Sequence, residues 1–244
     1  YKLSDSMSVI GGLKRVSMDS GSTVSAAALS AGIGQGSWTF GSASGTSAVY
    51  GIISEIPEIA MRMTVLMESS AAIDVPTTYV QDGVNHTGTT KAPVGDATTI
   101  SLQTGIAPNT LLFGSLKMSN WKDDQTMLPI NGSATQRHQI SDYSDGQSYT
   151  IGLGRRFNDQ LSGRVSYFRD PASDCDESSA LAPVCERTSL SLGANYAISD
   201  QSSLSVGYSW SQYGDATIFS GLPIEATTTN SSVSTLGARL SYKF

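Results

Sequence analysis

The sequence has no apolar run near the roughly 18 residues that a membrane-spanning helix needs. Its most apolar region, Ala48 to Met67, is interrupted by Ser54, Glu55, Pro57, Glu58 and Arg62. Charged residues make up 15% and hydrophobic residues 39%, both less than in an ordinary soluble domain. The net charge is −6 and there is no basic stripe, which argues against nucleic acid as a partner. If this chain crosses a membrane, it does so as a closed β-sheet, because only helices and closed barrels satisfy the backbone in lipid.

Histidine and cysteine are also scarce. The two histidines, His86 and His138, lie in segments that we interpret as long polar loops, which gives catalysis little support. Cys175 and Cys185 have no further cysteine or histidine nearby, so a zinc site is not expected. We predict that they form a loop disulfide, which implies an oxidising compartment and stabilises the loop by about 3 kcal/mol. No metal or cofactor is predicted.

What the chain has instead is alternation. Apolar and polar residues alternate in segments bounded by turn residues, which predicts about ten β-strands. The segments are Met7–Val16, Ala43–Ser54, Glu58–Ser69, Ala97–Ile106, Thr110–Trp121, Gln147–Arg156, Leu161–Arg169, Thr188–Ile198, Ser202–Gln212 and Val233–Phe244. The connections between them are short and long in turn. Such sorting is typical of an all-β, antiparallel, up-and-down transmembrane barrel, in which tight turns face the periplasm and long loops face outward.

The last strand shows two faces most clearly. Leu236, Leu240 and Tyr242 fall on one face, and Arg239 and Lys243 on the other. We expect the apolar face to meet lipid and the polar face to line a wet lumen. Aromatic residues near strand ends fit the girdle of a membrane barrel.

The same register predicts which charged residues point inward and which do not. Arg155 and Arg156 are adjacent, so one of them should point to lipid, where it can snorkel to the interface. The cations predicted to point inward, as candidate substrate-binding residues, are Arg62, Lys117, Arg156, Arg164 and Arg239. They could orient an anionic headgroup such as a carboxylate, or they could pair with inward acidic residues or lie in water.

Phe113 is also predicted to point inward, together with Leu111. Apolar side chains inside a barrel indicate a plug or a path for an apolar solute rather than a water-filled pore. A shift of one residue in the strand register explains the pattern equally simply.

Three strings resemble the FadL/TodX family of outer-membrane transporters for long-chain fatty acids and hydrocarbons. They are YGIISEIPEIAMRMTVLMES from Tyr50, LQTGIAPNTLLFGSLKMSNW from Leu102 and IGLGRRFNDQLSGRVSYF from Ile151. The resemblance implies a fourteen-stranded barrel with an N-terminal hatch, in the outer membrane of a Gram-negative bacterium. With ten strands visible, we expect residues 1–244 to be one domain that forms the C-terminal part of such a barrel, without the hatch and about four strands.

The resemblance implies passive transport of hydrophobic small molecules, no enzyme activity and outer-membrane lipid as a partner. It also implies that the barrel-insertion machinery reads the terminal Phe244. Two alternatives stay open: a structural or adhesive barrel, whose interior would be filled with paired charges, and a lipid-acting barrel enzyme. The enzyme needs His86 or His138 beside a serine and a carboxylate.

Overall fold

The computed structural model describes residues 1–21, 23–25, 36–171, 185–218 and 225–243, with residues 23–25 described by their backbone alone. Across these residues the chain forms eighteen β-strands and one 3₁₀ turn. The strands are β1 (Met7–Met18), β2 (Thr23–Ser25), β3 (Gly36–Phe40), β4 (Ala43–Ile56), β5 (Met61–Glu68), β6 (Asp74–Gln81), β7 (Val84–Lys91), β8 (Asp96–Ala107), β9 (Thr110–Asn120), β10 (Met127–Pro129), β11 (Arg137–Gln139), β12 (Gly146–Arg156), β13 (Leu161–Asp170), β14 (Arg187–Ala197), β15 (Ser202–Tyr213), β16 (Ala216–Ile218), β17 (Ala226–Thr228) and β18 (Ser232–Tyr242).

Ten of these strands form one antiparallel up-and-down sheet, the wall of a β-barrel, in the order β1-β4-β5-β8-β9-β12-β13-β14-β15-β18. Each pairs with the next long strand along the chain, so the ten predicted strands are confirmed with small shifts at their ends. The third begins at Met61 rather than Glu58. Pro57–Ile59 form the 3₁₀ turn, and Ala60 then takes a left-handed conformation with φ 50°.

Pairing across the strands confirms the two predicted faces. Leu192 lies opposite Tyr208, and Tyr208 lies opposite Leu236, so the apolar residues of three strands share one face, which we call the outer face. Leu236 is 76% exposed, as expected of a side chain that meets lipid rather than a protein core. The opposite, inner face is less exposed: Gly45 and Ser47 are buried in β4, whereas Thr46 and Ala48 are exposed.

The long connections contain further strands in the parts that the structure describes. Segments from three of them pair into a second antiparallel sheet, in the order β11-β10-β7-β6-β3-β2, which we call the loop sheet. The prediction that His86 and His138 lie in polar loops is therefore wrong, because His86 lies in β7 and His138 in β11. Their strands contain too few apolar residues for alternation to reveal them.

The loop sheet has its own core. Trp38 stacks on Tyr79 with ring centroids 5.8 Å apart, and Leu128 packs against the pair. Alternate residues of β6 are buried, so one face of the strand packs on this core and the other face is exposed to solvent.

The segment that enters the loop sheet also packs on the barrel wall. Ala71 and Ile73 are each 1% exposed, and a side chain on Gly45 of β4 would meet Ile73 at 2.9 Å. The loop sheet is thus anchored at the long-connection end of the inner face.

No helix among the described residues is long and apolar enough to cross a membrane. Cys175 and Phe244 lie outside the described residues, so the disulfide with Cys185 and the role of the terminal aromatic residue remain predictions. The single-domain assignment of residues 1–244 also remains a prediction.

Candidate functional site

The inner face of the barrel wall has an excess of positive charge. In the part of the chain that the structure describes, only three carboxylates, Glu55, Glu68 and Asp170, project from its strand positions. The cations on the same face, assigned from the strand register, are Lys14, Arg62, Lys117, Arg156, Arg164, Arg187 and Arg239. A chain with a net charge of −6 therefore presents a cationic inner surface.

Two of these cations are neutralised by neighbours near β4 and β5. Lys14 Nζ lies 2.6 Å from Glu68 Oε1, and Arg62 Nε lies 3.7 Å from its cross-strand partner Glu55. Both pairs are partly exposed, so each contributes little to stability. Arg62, predicted as a substrate contact, already has a carboxylate beside it.

Arg156 and Lys117 also have acidic neighbours. Arg156 Nη2 lies 2.8 Å from Asp159 in the tight turn that joins β12 and β13. Asp159 is almost fully exposed, so that pair is open to solvent. Lys117 interacts electrostatically with Asp170 near the long-connection end of the wall.

Arg164 and Arg239 differ from the other inner cations. Among the described residues neither forms an ion pair with a carboxylate. They flank a depression of about 490 Å³ on the inner face, which also contains Asn195 and Ser205. The Ser205 hydroxyl donates to Asn195 Oδ1 at 2.9 Å, and Ser205 lies opposite Arg239 in the sheet.

The depression exists because three adjacent strands each have a glycine, and so no side chain, in the same cross-strand row. Gly193, Gly207 and Gly237 lie directly opposite one another in β14, β15 and β18. A Cβ on Gly193 would meet Arg164 Nε at 3.0 Å, whereas one on Gly237 would enter open space. The glycine row thus gives the Arg164 guanidinium room to lie over the backbone. Two guanidinium groups around such a floor suit a carboxylate, which accepts paired N–H bonds.

Phe113 lies on the same inner face, opposite Gly152 of β12. Its ring touches the position that a side chain on Gly152 would occupy, so the glycine lets the ring lie across the strand. Leu111, two residues away on β9, shares this face beside Phe113, whereas Leu66 lies in a different register row, that of Thr99 and Lys117. An apolar patch therefore lies on the inner wall beside the cationic depression, and the register agrees with the predicted one.

Arg187 was missed by the sequence reasoning because it directly follows the segment that contains the cysteines. Its guanidinium lies over the Phe168 ring at 5.1 Å and over the Tyr213 ring at 5.9 Å. It also donates to the Ser189 hydroxyl at 3.0 Å. These contacts hold Arg187 in place at the long-connection end of the inner face.

The two histidines do not form a catalytic group within the described part of the chain. The His86 ring packs against the Tyr79 ring, with centroids 5.1 Å apart, and His138 pairs with Leu128 across β10 and β11. Neither makes a hydrogen bond with a described serine or carboxylate. In the same residues no group of three His, Cys, Asp or Glu side chains is placed to bind a metal.

Neither a family model nor a curated protein matches the sequence. Solved structures match the fold. The crystal structure of a Pseudomonas aeruginosa FadL homologue superposes with a TM-score of 0.75 at 12% identity, over 99% of this chain and 65% of that one. The Ralstonia pickettii toluene transporter TbuX gives 0.59 at 15% identity, over 99% and 65%, and the CymD monoaromatic hydrocarbon channel gives 0.59 at 14%, over 100% and 71%. This chain thus spans about two thirds of the length of these proteins. With ten up-and-down strands in one wall, it has the β-barrel fold of the FadL-type hydrocarbon channels.

Proposed function

We propose that this chain forms part of an outer-membrane channel for hydrophobic compounds, and that its substrates are long-chain fatty acids or similar apolar molecules with a carboxylate. The observation that supports this most is the separation of the two faces. The outer face is apolar and exposed, whereas the inner face combines an apolar patch at Phe113 with the cationic depression at Arg164 and Arg239.

An amphipathic solute fits both parts of the inner face. Its chain leaves water for apolar wall residues, a transfer worth about 0.8 kcal/mol per buried methylene group. Its carboxylate binds the two guanidinium groups. The solved structures with this fold include proteins described as toluene transporters and monoaromatic hydrocarbon channels, which agrees with an apolar cargo. The excess of inner cations is the reason to propose an acid rather than a neutral hydrocarbon.

A structural or adhesive barrel is the competing function, and the inner ion pairs favour it. Lys14 with Glu68 and Arg62 with Glu55 are the arrangement that such a barrel would use throughout its interior. Arg164 and Arg239 depart from that arrangement, because no described carboxylate compensates them. We therefore place transport first.

Uptake into proteoliposomes tests the proposal. The protein should admit a fluorescent long-chain fatty acid faster than protein-free vesicles do. The double variant Arg164→Gln/Arg239→Gln should bind the acid about ten- to hundredfold more weakly, because it loses hydrogen bonds to a charged group. Transfer of the corresponding fatty alcohol, which has no carboxylate, should not change.

The matched control is Arg15→Gln, which removes a cation from the outer face. Equal uptake of the acid by vesicles with and without the protein would refute transport of this substrate class. Equal loss for the acid and the alcohol in the double variant would refute carboxylate recognition at Arg164 and Arg239.

A further inference from the structure

A second depression lies on the outer face of the wall, on the opposite side of the sheet from the glycine row. It has a volume of about 510 Å³ and crosses β12, β13, β14 and β15 near their short turns. Its floor is one register row, in which Arg155 lies opposite Gly163, Gly163 opposite Ala194, and Ala194 opposite Val206. Because neighbouring strands are about 4.8 Å apart, the row is about 14 Å long. We call it the outer groove.

Large apolar side chains border the outer groove. One border is the next row of outward side chains, on the side away from the short turns, and it consists of Leu153, Val165, Leu192 and Tyr208. On the turn side Leu161 and Phe157 form the other, and a Cβ on Gly163 would meet the Phe157 ring at 2.9 Å. The small residues of the floor therefore leave a trough between two apolar ridges, with the Phe157 ring against Gly163.

Arg155 provides a positive charge at one end of this trough. Its side chain is exposed and belongs to the lining, and the guanidinium forms no ion pair or hydrogen bond with another described residue. It lies next to the turn that joins β12 and β13, the level at which a membrane barrel meets lipid headgroups. An apolar trough that ends at a guanidinium matches one molecule in both charge and shape, a lipid with an acyl chain and a phosphate.

We propose that the outer groove binds an anionic phospholipid of the leaflet on the short-turn side, with an acyl chain along Ala194 and the Phe157 ring and the phosphate on Arg155. This rests on the proposed function in one respect, namely that the sheet lies in a membrane. It does not depend on what passes along the inner face. The bound lipid would be held at this part of the wall rather than exchange freely with the surrounding bilayer.

Native mass spectrometry of the protein in a mild detergent tests the proposal, with dioleoylphosphatidylglycerol and dioleoylglycerol as the two probes. Arg155→Gln should weaken phosphatidylglycerol binding about tenfold, since it removes a hydrogen bond to a charged group, and should not change diacylglycerol binding. Ala194→Leu fills the trough. It should weaken both probes about tenfold if two methylene groups lose their contact.

The chain offers a matched control for each variant. Ala238 on β18 lies opposite Val206 in the same outward row, but outside the outer groove. Ala238→Leu should therefore not change the binding of either probe. Arg15 is another outward arginine at the far end of the wall, so Arg15→Gln should also have no effect. Unchanged binding in Arg155→Gln and Ala194→Leu, or equal losses in the controls, would overturn the proposal.

Fatty-acid uptake by Arg155→Gln proteoliposomes separates the two proposals. Normal uptake together with weakened lipid binding is the expected result. If no variant alters lipid binding while the Arg164→Gln/Arg239→Gln effect on uptake persists, the outer groove fails and the transport proposal stands.

Discussion

Replacing Trp38 with alanine should unfold the loop sheet while the barrel wall stays folded. The Trp38 side chain is fully buried, stacks on Tyr79 and donates from Nε1 to the Pro129 carbonyl at 2.9 Å. It therefore connects three strands of the loop sheet, β3, β6 and β10. The ten-stranded sheet has its own backbone ladder, so the damage should stay local.

The expected cost follows from the size of the core. Removing a buried tryptophan side chain costs about 3–5 kcal/mol. The core around Trp38 is small and consists of Tyr79, Leu128 and the partly buried Phe40, Ile130 and Ile140. Local opening would then become about a hundredfold to a few thousandfold more frequent. Trp38→Phe keeps a ring but leaves the Pro129 carbonyl without its donor, which should cost about 1–3 kcal/mol.

Amide hydrogen exchange measures this directly. Protection of the β6 and β7 amides should fall in Trp38→Ala and fall less in Trp38→Phe, while amides of β14 and β15 keep their protection. Trp210→Ala is the control, because Trp210 lies on the outer face and is 40% exposed. Unchanged protection of β6 in Trp38→Ala, or an equal loss in Trp210→Ala, would refute the assignment of Trp38 as the centre of an independent core.

Three further predictions concern the turns and connections. The backbone N–H groups of Lys122 and Trp121, just after β9, donate to Asp145 and lower its pKa, so the stability it contributes is present above its ordinary value of 3.8 and is lost as the pH falls through the lowered value. The protection factor of the Lys122 amide, its intrinsic exchange rate divided by the observed rate, should therefore fall between pH 6 and pH 2, and Asp145→Asn should remove that pH dependence. Ala60→Gly should stabilise the protein by up to about 1 kcal/mol in chemical denaturation, because glycine adopts φ 50° without a steric cost; a decrease in stability would contradict this. Cys175 and Cys185 should resist alkylation in the unfolded, unreduced protein and react after reduction, and two reactive thiols before reduction would disprove the disulfide.

The barrel strands were predictable because their signal is local. Residues such as Leu190, Leu192 and Ala194 alternate with Ser191 and Gly193, and lipid on one side forces that alternation over the whole strand. The loop sheet lacks such a constraint. In β7, polar Asn85, His86 and Thr87 follow one another, and the strand exists because Tyr79 and Trp38 provide a core that comes from other segments.

The candidate site was predictable in part. The alternation of apolar and polar residues predicted that Arg164 and Arg239 lie on the inner face, and the strand register places them there. It could not show that they flank one depression, because they are 75 positions apart in sequence and meet only through the pairing of β13, β14, β15 and β18. The sequence offered both Glu55 and Glu58 as carboxylates that could neutralise Arg62, and the register of β4 against β5 selects Glu55.

The sequence alone determined the ten wall strands, their two faces and the alternation of short and long connections, because each is set by which solvent a side chain meets. Tertiary structure decided how residues far apart in the chain combine. Cross-strand register aligned Gly193, Gly207 and Gly237 into a floor on the inner face, and one row of Arg155, Gly163, Ala194 and Val206 into a groove on the outer face. Register depends on hydrogen bonds between strands, and no single strand contains that information.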